Sequence, residues 1–242
     1  GLVCGMLVAN ESQQGLNMHI PDGFINAGLS AAAGVGAAGG FAYSLRQLRR
    51  YLTERLVPLA ALTAAFVFAA QMVNFPGLPG MSGHLIGGVL AAVLVGPAAA
   101  YVVMSIVLMV QAFLFADGGL SALGLNIINL GLVAGVFGYY VYRAILRFTP
   151  KTHTSVAASA AVAAFLSVPM AAMAFAIEFA IGGSAESVSV SSVLWAMLTT
   201  HTVIGIGEGV ITFFVVLAVV RARPDLVYGA PDFVGERTEA LT

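Results

Sequence analysis

The chain has 242 residues, of which 60% are hydrophobic and 9% charged, with a formal net charge of −1. A water-soluble protein of this composition would have too little polar material to cover its surface, so we predict an integral membrane protein. The ten basic residues are too few for a face that binds nucleic-acid phosphates, which excludes nucleic acid as a partner. The single cysteine, Cys4, excludes an internal disulfide and a cysteine-cluster metal site.

Long apolar runs recur along the chain at nearly even spacing. A helix that crosses the roughly 30 Å hydrocarbon core of a bilayer needs about 20 apolar residues. Seven runs approach that length: 25–45, 55–75, 84–98, 99–116, 123–148, 155–182 and 200–221. We therefore predict one all-α domain with about seven transmembrane helices. The pair Gly96-Pro97 is expected to form a tight turn between the third and fourth helices, and 187–199 to lie at the membrane interface, outside the spans.

The basic residues test this division into spans. With seven spans, all ten Lys and Arg side chains fall on one side of the membrane. Because positive charge is retained on the cytoplasmic side of short loops, the N-terminus is predicted outside and the C-terminus in the cytoplasm. The opposite side has carboxylates, among them Asp22 and Asp117, and no basic residue. Such a face concentrates cations at its mouth.

Three of the four histidines, His19, His84 and His201, are predicted at or near the outer surface. If the chain began at Met18, its terminal amine, the amide of His19 and the imidazole of His19 would form fused chelate rings. His84 would then supply a fourth nitrogen, which gives the tetragonal donor set that suits Ni(II) and Cu(II) and can hold Co(II). The opposing interpretation is that each histidine is a hydrogen-bonded structural residue at the membrane interface.

Other polar residues within the predicted spans are candidates for a supporting role. Glu208 lies seven residues after His201, hence on the same helical face and about 10 Å deeper. A carboxyl group at that depth can have a functional role, in which it supports the ligands or lines a pathway. The alternative is that it pairs with a buried polar group or stays protonated. Asn126 either orients ligands or holds helices together. Glu178, in the sixth span, is a weaker candidate of the same kind.

Four motifs in chain order give the sequence a family resemblance. They are Met18–Phe24 (MHIPDGF), Ser82–Gly88 (SGHLIGG) with Leu94–Pro97 (LVGP), Gly124–Asn129 (GLNIIN) and His201–Gly209 (HTVIGIGEG). The chain resembles the CbiM/NikM family, the substrate-binding membrane subunits of energy-coupling-factor cobalt/nickel transporters, from Met18 to about Gly229. The resemblance implies a seven-helix subunit in the cytoplasmic (inner) membrane of a bacterium or archaeon.

The resemblance also implies how the subunit works. Met18, His19 and His84 would bind Co(II) or Ni(II) as the transported ligand, with no permanent cofactor. The partners would be a transmembrane coupling subunit, cytosolic ATPase subunits that supply the energy, and often a small accessory membrane subunit. The chain itself is then no enzyme. Between nickel and cobalt the sequence leaves the choice open, because both accept nitrogen ligands.

The resemblance divides the chain into three parts. Residues 18–229 form the transmembrane metal-binding domain, and 230–242 form a cytoplasmic tail. Residues 1–17 are an N-terminal extension that would block the Met18 amine if it were retained. We expect this extension to be removed by processing, to follow from a misassigned start, or to be foreign to the protein.

Two rival functions differ from this one in their chemistry. A proton-coupled secondary transporter or channel for divalent metals would need no ATP, and Glu178 and Glu208 would relay its protons. An intramembrane metalloprotease would need His-Glu-x-x-His on a helix, which this sequence lacks.

Overall fold

The computed structural model describes residues 19–51, 53–76, 82–184 and 188–230. Met18, the extension 1–17 and residues 231–242 of the predicted tail lie outside the described residues. The described chain is largely helical, with one short antiparallel hairpin of β1 (Asn74–Pro76) and β2 (Ser82–His84). The helices are α1 Ala27–Leu48, α2 Leu56–Gln71, α3 Gly88–Val95, α4 Pro97–Leu114, α5 Leu123–Leu146, α6 His153–Gly182 and α7 Val190–Ala222.

The outer surface of this bundle is apolar. Four helices, α4 to α7, are long and apolar enough to cross a membrane, and α2 is a shorter apolar helix. Large hydrophobic side chains point outward, for example Leu62 at 69% exposure, Phe113 at 65% and Phe214 at 64%. A surface of this kind is expected where helices face lipid rather than water. The prediction of a helical membrane protein is therefore confirmed.

The predicted count of seven spans is met only in part. Each predicted run contains a helix in the described chain, but α3 has eight residues and is about 12 Å long, less than a bilayer requires. All eight residues of α3 are buried, and it packs against α2, α4, α5, α6 and α7. The run 84–98 is apolar because α3 is the centre of the core.

The chain reverses direction between α3 and α4 where the sequence predicts a turn. Gly96 has a φ of +87°, a left-handed conformation that favours glycine, and Pro97 opens α4 at its first position. A side chain at Gly96 would also meet the ring of Tyr228, because an added Cβ would lie 3.1 Å from it. The predicted Gly96-Pro97 turn is confirmed.

The segment 187–199, predicted to lie at the membrane interface, is continuous with the last helix from Val190 onward, and its place relative to the membrane stays a prediction. Helix α7 begins at Val190 and continues without a break for 33 residues to Ala222. The Ser189 side chain caps it by accepting from the Ser192 N–H, and the Thr199 hydroxyl donates to the Trp195 carbonyl one turn back at 2.8 Å. Because such hydroxyl groups find partners on their own helix, a serine- and threonine-rich stretch continues the helix.

Helix α5 changes its winding midway. Its first turn, Leu123–Ile127, is α-helical, Ile128–Phe137 is a π-helix, and Gly138–Leu146 is α-helical again. π-Helical turns are rare and occur often at functional sites. The apolar sequence of this run predicts a helix but not the change of winding.

Candidate metal centre

The segment that carries His19 is held in place through the backbone of Ile20. The Ile20 N–H donates to Asn126 Oδ1 at 3.0 Å, and the Asn126 Nδ2 group donates back to the Ile20 carbonyl at 3.4 Å. The Gly119 N–H donates to the same carbonyl at 2.9 Å. Asn126 therefore fixes the backbone next to His19, while its predicted role in orienting ligands stays a prediction.

This arrangement brings His19 against His84, 65 residues along the chain. Their ring centroids are 4.7 Å apart, with the ring planes at 42°. The two residues are 5% and 7% exposed. His84 Nδ1 lies 2.6 Å from the Leu85 carbonyl, so this nitrogen carries the proton and Nε2 keeps its lone pair. Two of the three predicted outer histidines thus form one buried pair.

The nitrogens of the His19 ring are buried without a hydrogen-bond partner. Asp117 lies beside this ring, and its Oδ1 is 3.2 Å from His19 Nδ1 without the alignment of a hydrogen bond. An uncompensated buried polar atom costs about 1–3 kcal/mol, so such an atom in a native structure calls for a further partner. A metal ion is one such partner for an imidazole.

The protonation state of His84 suits ligation. His84 ends β2, outside the helices, and its burial lowers its pKa to about 3, with the neighbouring His19 adding to the effect. The ring is therefore neutral at neutral pH, which is the form that binds a metal. Nearer the surface, hydrogen bonds from the Ser121 hydroxyl and N–H lower the pKa of Asp22, which keeps a negative charge at this end of the bundle.

Glu208 contacts the backbone that follows His84. Its two carboxyl oxygens accept from the Ile86 N–H at 2.8 Å and from the Gly87 N–H at 2.6 Å, and the residue is 2% exposed. Among the roles that the sequence leaves open, these bonds make Glu208 the partner of a buried polar group, the backbone of the loop after His84. Glu178 accepts a separate hydrogen bond from Asn129 Nδ2 at 2.8 Å.

His201 does not join the imidazole pair. It lies within α7, three turns after the helix begins, and its Nδ1 is 2.8 Å from the Met197 carbonyl of the same helix. Across the described ranges, no three His, Cys, Asp or Glu side chains converge closely enough to hold an ion between them. The side chains of the pair therefore leave coordination positions for other donors.

The loop of residues 116–119 packs against His19, and this contact is not predicted from the sequence. Ala116 has a φ of +52°, the only positive value at a non-glycine residue in the part of the chain described, and Gly118 has a φ of +93°. A Cβ added to Gly118 would lie 2.8 Å from the Cβ of His19. Left-handed backbone at a non-glycine residue costs of the order of 1–3 kcal/mol and occurs often at ligand sites. The sequence signal is Asp117-Gly118-Gly119 directly after an apolar run.

A bundle of long apolar helices defines a multi-pass membrane protein, and two imidazoles lie buried together at one end of it. Residues 19–226 match the CbiM family model, described as the cobalt uptake substrate-specific transmembrane region. The chain belongs to this family.

Two relatives and a solved structure agree with this assignment. The chain is 39% identical over 210 residues to a putative fused nickel transport protein NikMN of Archaeoglobus fulgidus, covering 87% of this chain and 68% of the relative. It is 29% identical over 219 residues to the cobalt transport protein CbiM of a Nostoc species, covering 89% of this chain and 83% of the relative. The crystal structure of a truncated transition metal transporter is similar with a TM-score of 0.77 and 30% identity, covering 85% of this chain and 99% of that one.

These relatives are metal transport proteins rather than enzymes. The chain is accordingly a member of a cobalt and nickel transport family, as the motifs in its sequence predict.

Proposed function

We propose that the chain is the substrate-binding subunit of an ATP-driven energy-coupling-factor importer and captures Co(II) or Ni(II) at the outer face of the membrane. The observation that carries the proposal is the buried pair of imidazoles 4.7 Å apart, in which the His19 ring nitrogens have no hydrogen-bond partner. A bound cation would recover the free energy lost by burying these atoms.

The proposed ligands are nitrogens from Met18, His19 and His84. The described side chains offer this pair of imidazoles and no cluster of three metal-binding groups, so further donors from the backbone fit the site. A free Met18 amine and the deprotonated His19 amide would supply them next to the His19 ring. Four nitrogens in a tetragonal arrangement suit Ni(II) and are accepted by Co(II). This ligand set requires that residues 1–17 be absent from the mature protein.

The proposal places residues 18–229 in one transmembrane domain with its N-terminus outside and its C-terminus in the cytoplasm. In support, Arg46 lies in the last turn of α1, a helix of 22 residues and about 33 Å that begins eight residues after His19. The other basic residues follow the same distribution. A thiol reagent that cannot cross membranes should label Leu120→Cys on intact cells and spare Phe148→Cys, in a Cys4→Ser background.

A transmembrane coupling subunit, cytosolic ATPases and a small accessory membrane subunit would complete the importer. Within this chain the only lysine, Lys151, has no glycine-rich phosphate loop beside it, so ATP hydrolysis belongs to partner subunits. Proteoliposomes that contain this chain alone should not accumulate Ni(II) under a pH gradient. Accumulation there would favour the proton-coupled alternative.

The metal site is tested with purified protein that begins at Met18, beside the full chain. Ni(II) and Co(II) content and affinity are measured for the wild type, for His84→Ala and for the matched control His153→Ala, whose histidine begins α6. We expect one tightly bound ion that is lost in His84→Ala and kept in His153→Ala. Equal binding by the full chain would refute the amine ligand, and absence of binding in every form would refute the proposal.

A further inference from the structure

We infer that Gln71, Gln111 and Glu208 form a buried positioning network that fixes the two imidazoles relative to each other. The inference rests on the proposed function, in which His19 and His84 are ligands, and adds residues that do not touch the ion. The three network residues lie on α2, α4 and α7 and are 0%, 0% and 2% exposed.

The first part of the network holds the two consecutive peptide units on either side of Ile86, directly after His84 and Leu85. The Ile86 N–H donates to Glu208 Oε2 at 2.8 Å, and the Ile86 carbonyl accepts from Gln71 Nε2 at 2.7 Å. The second oxygen of Glu208 accepts from the Gly87 N–H at 2.6 Å. Residues 85–87 lie outside regular secondary structure, so these side chains take the place of a helix or sheet ladder. Because side chains of α2 and α7 hold this backbone, the position of His84 is fixed relative to both helices.

The second part joins this clamp to the loop beside His19. Gln111 Nε2 donates to Gln71 Oε1 at 2.8 Å, and the main-chain carbonyl of Gln111 accepts from the Asp117 N–H at 3.1 Å. Asp117 Oδ1 in turn lies 3.2 Å from His19 Nδ1. Gln111 therefore contacts the His84 side through its side chain and the His19 side through its backbone.

The composition of the surrounding helices argues for a specific role. α2 and α4 are otherwise almost wholly apolar, and their amides point into the core rather than toward lipid. Leaving a buried amide without its partner costs about 1–3 kcal/mol, whereas apolar side chains would pack the same space without that risk. A network that holds a ligand residue is of the kind that tunes metal affinity by about 10–100-fold.

The test uses protein that begins at Met18 and the variant Gln111→Met, which keeps the volume and removes the donor to Gln71. The control is Thr63→Val on α2, since Thr63 is 4% exposed but donates only to the Leu59 carbonyl of its own helix. Ni(II) affinity, the visible absorption band of the bound ion and the melting temperature are measured for each. We expect an affinity loss of about tenfold or more and a shifted band in Gln111→Met, and neither change in Thr63→Val.

A second, isosteric variant keeps the test decisive if Gln111→Met fails to fold. Glu208→Gln retains one acceptor oxygen and turns an NH₂ group toward the other backbone N–H, so it should also shift the band. An unchanged band and affinity in these variants would overturn the inference and leave the proposed function standing, even if the melting temperature fell. A wild type that binds no Ni(II) would overturn both.

Discussion

The position of the His19 ring depends on a glycine. Gly118 has a φ of +93°, and an added Cβ would lie 2.8 Å from His19 Cβ and 3.3 Å from Asn126 Nδ2. Gly23 has a similar φ of +78°, but nothing lies within 4 Å of its added Cβ. Alanine substitutions at these two glycines therefore distinguish the free-energy cost of left-handed backbone from the effect of displacing His19.

We therefore expect Gly118→Ala to weaken Ni(II) binding by tenfold or more, about 1.4 kcal/mol, because the added Cβ displaces His19. Gly23→Ala should lower the free energy of unfolding by about 1–2 kcal/mol through backbone strain and leave the affinity unchanged. Calorimetric titration and thermal unfolding measure the two quantities. Equal affinities in both variants would show that the loop does not seat His19.

At this scale the sequence identifies residues whose chemistry is conspicuous. A histidine beside a predicted span and a glutamate within one are costly in a membrane, so His84 and Glu208 stand out by residue type alone. Gln71 and Gln111 do not, because an uncharged amide near the end of an apolar run is unremarkable until the partner helix is known. Asp117 appears only as one of several outer carboxylates, since its approach to His19 depends on the fold of the loop.

Among the elements, the close approach of α1 and α5 depends on Gly124. A Cβ added there would overlap the α1 backbone at Gly34 and lie 2.7 Å from the carbonyl carbon of Ala33. Gly124 lies in the same helical turn as Asn126, so a shift of this turn would also disturb the contact between Asn126 and Ile20.

Gly124→Ala should lower the free energy of unfolding by about 1–3 kcal/mol, as expected for an overpacked contact. The matched control is Gly39→Ala in α1, where nothing lies within 4 Å of the added Cβ and the helix propensity of alanine is favourable. Thermal unfolding in detergent compares the variants. If both melt at the wild-type temperature, the helices separate without cost and the close contact is not a determinant of stability.

The elements were predicted where apolar length and turn residues decide the structure, and missed where packing decides it. The Gly96-Pro97 break and the helical run that includes α5 follow from residue type. The π-helix Ile128–Phe137 does not, because a run that is apolar on every side has no periodicity to reveal its winding. The burial of α3 depends on neighbouring helices that a single sequence does not show.

In the whole molecule, α3 connects the loop after His84 to the segment that follows α7. Residues 224–230, here called the strap, follow α7 and dock against the end of α3. The Tyr228 N–H donates to the Leu94 carbonyl at 3.1 Å and the Gly229 N–H donates to the Val93 carbonyl at 2.8 Å. These bonds satisfy carbonyls that the end of a helix leaves without partners. The loop that follows His84 leads into the other end of α3.

The strap is itself fixed by Tyr142, whose hydroxyl donates to the Gly229 carbonyl at 2.7 Å in a fully buried position. Tyr142→Phe should lower the free energy of unfolding by about 1–3 kcal/mol, because the carbonyl is left buried without its donor. Tyr140→Phe on the same helix, where Tyr140 is 60% exposed, should change little.

Nickel affinity distinguishes two ways in which α3 can join the ends of the molecule. α3 is about 12 Å long and is held separately at each end. We therefore expect Tyr142→Phe to loosen the strap and to leave the Ni(II) affinity at the wild-type value. Thermal unfolding and calorimetric titration of the same preparations give both values. If the affinity falls together with the stability, and Tyr140→Phe changes neither, then α3 moves as one rigid piece and the strap contributes to the geometry at His84.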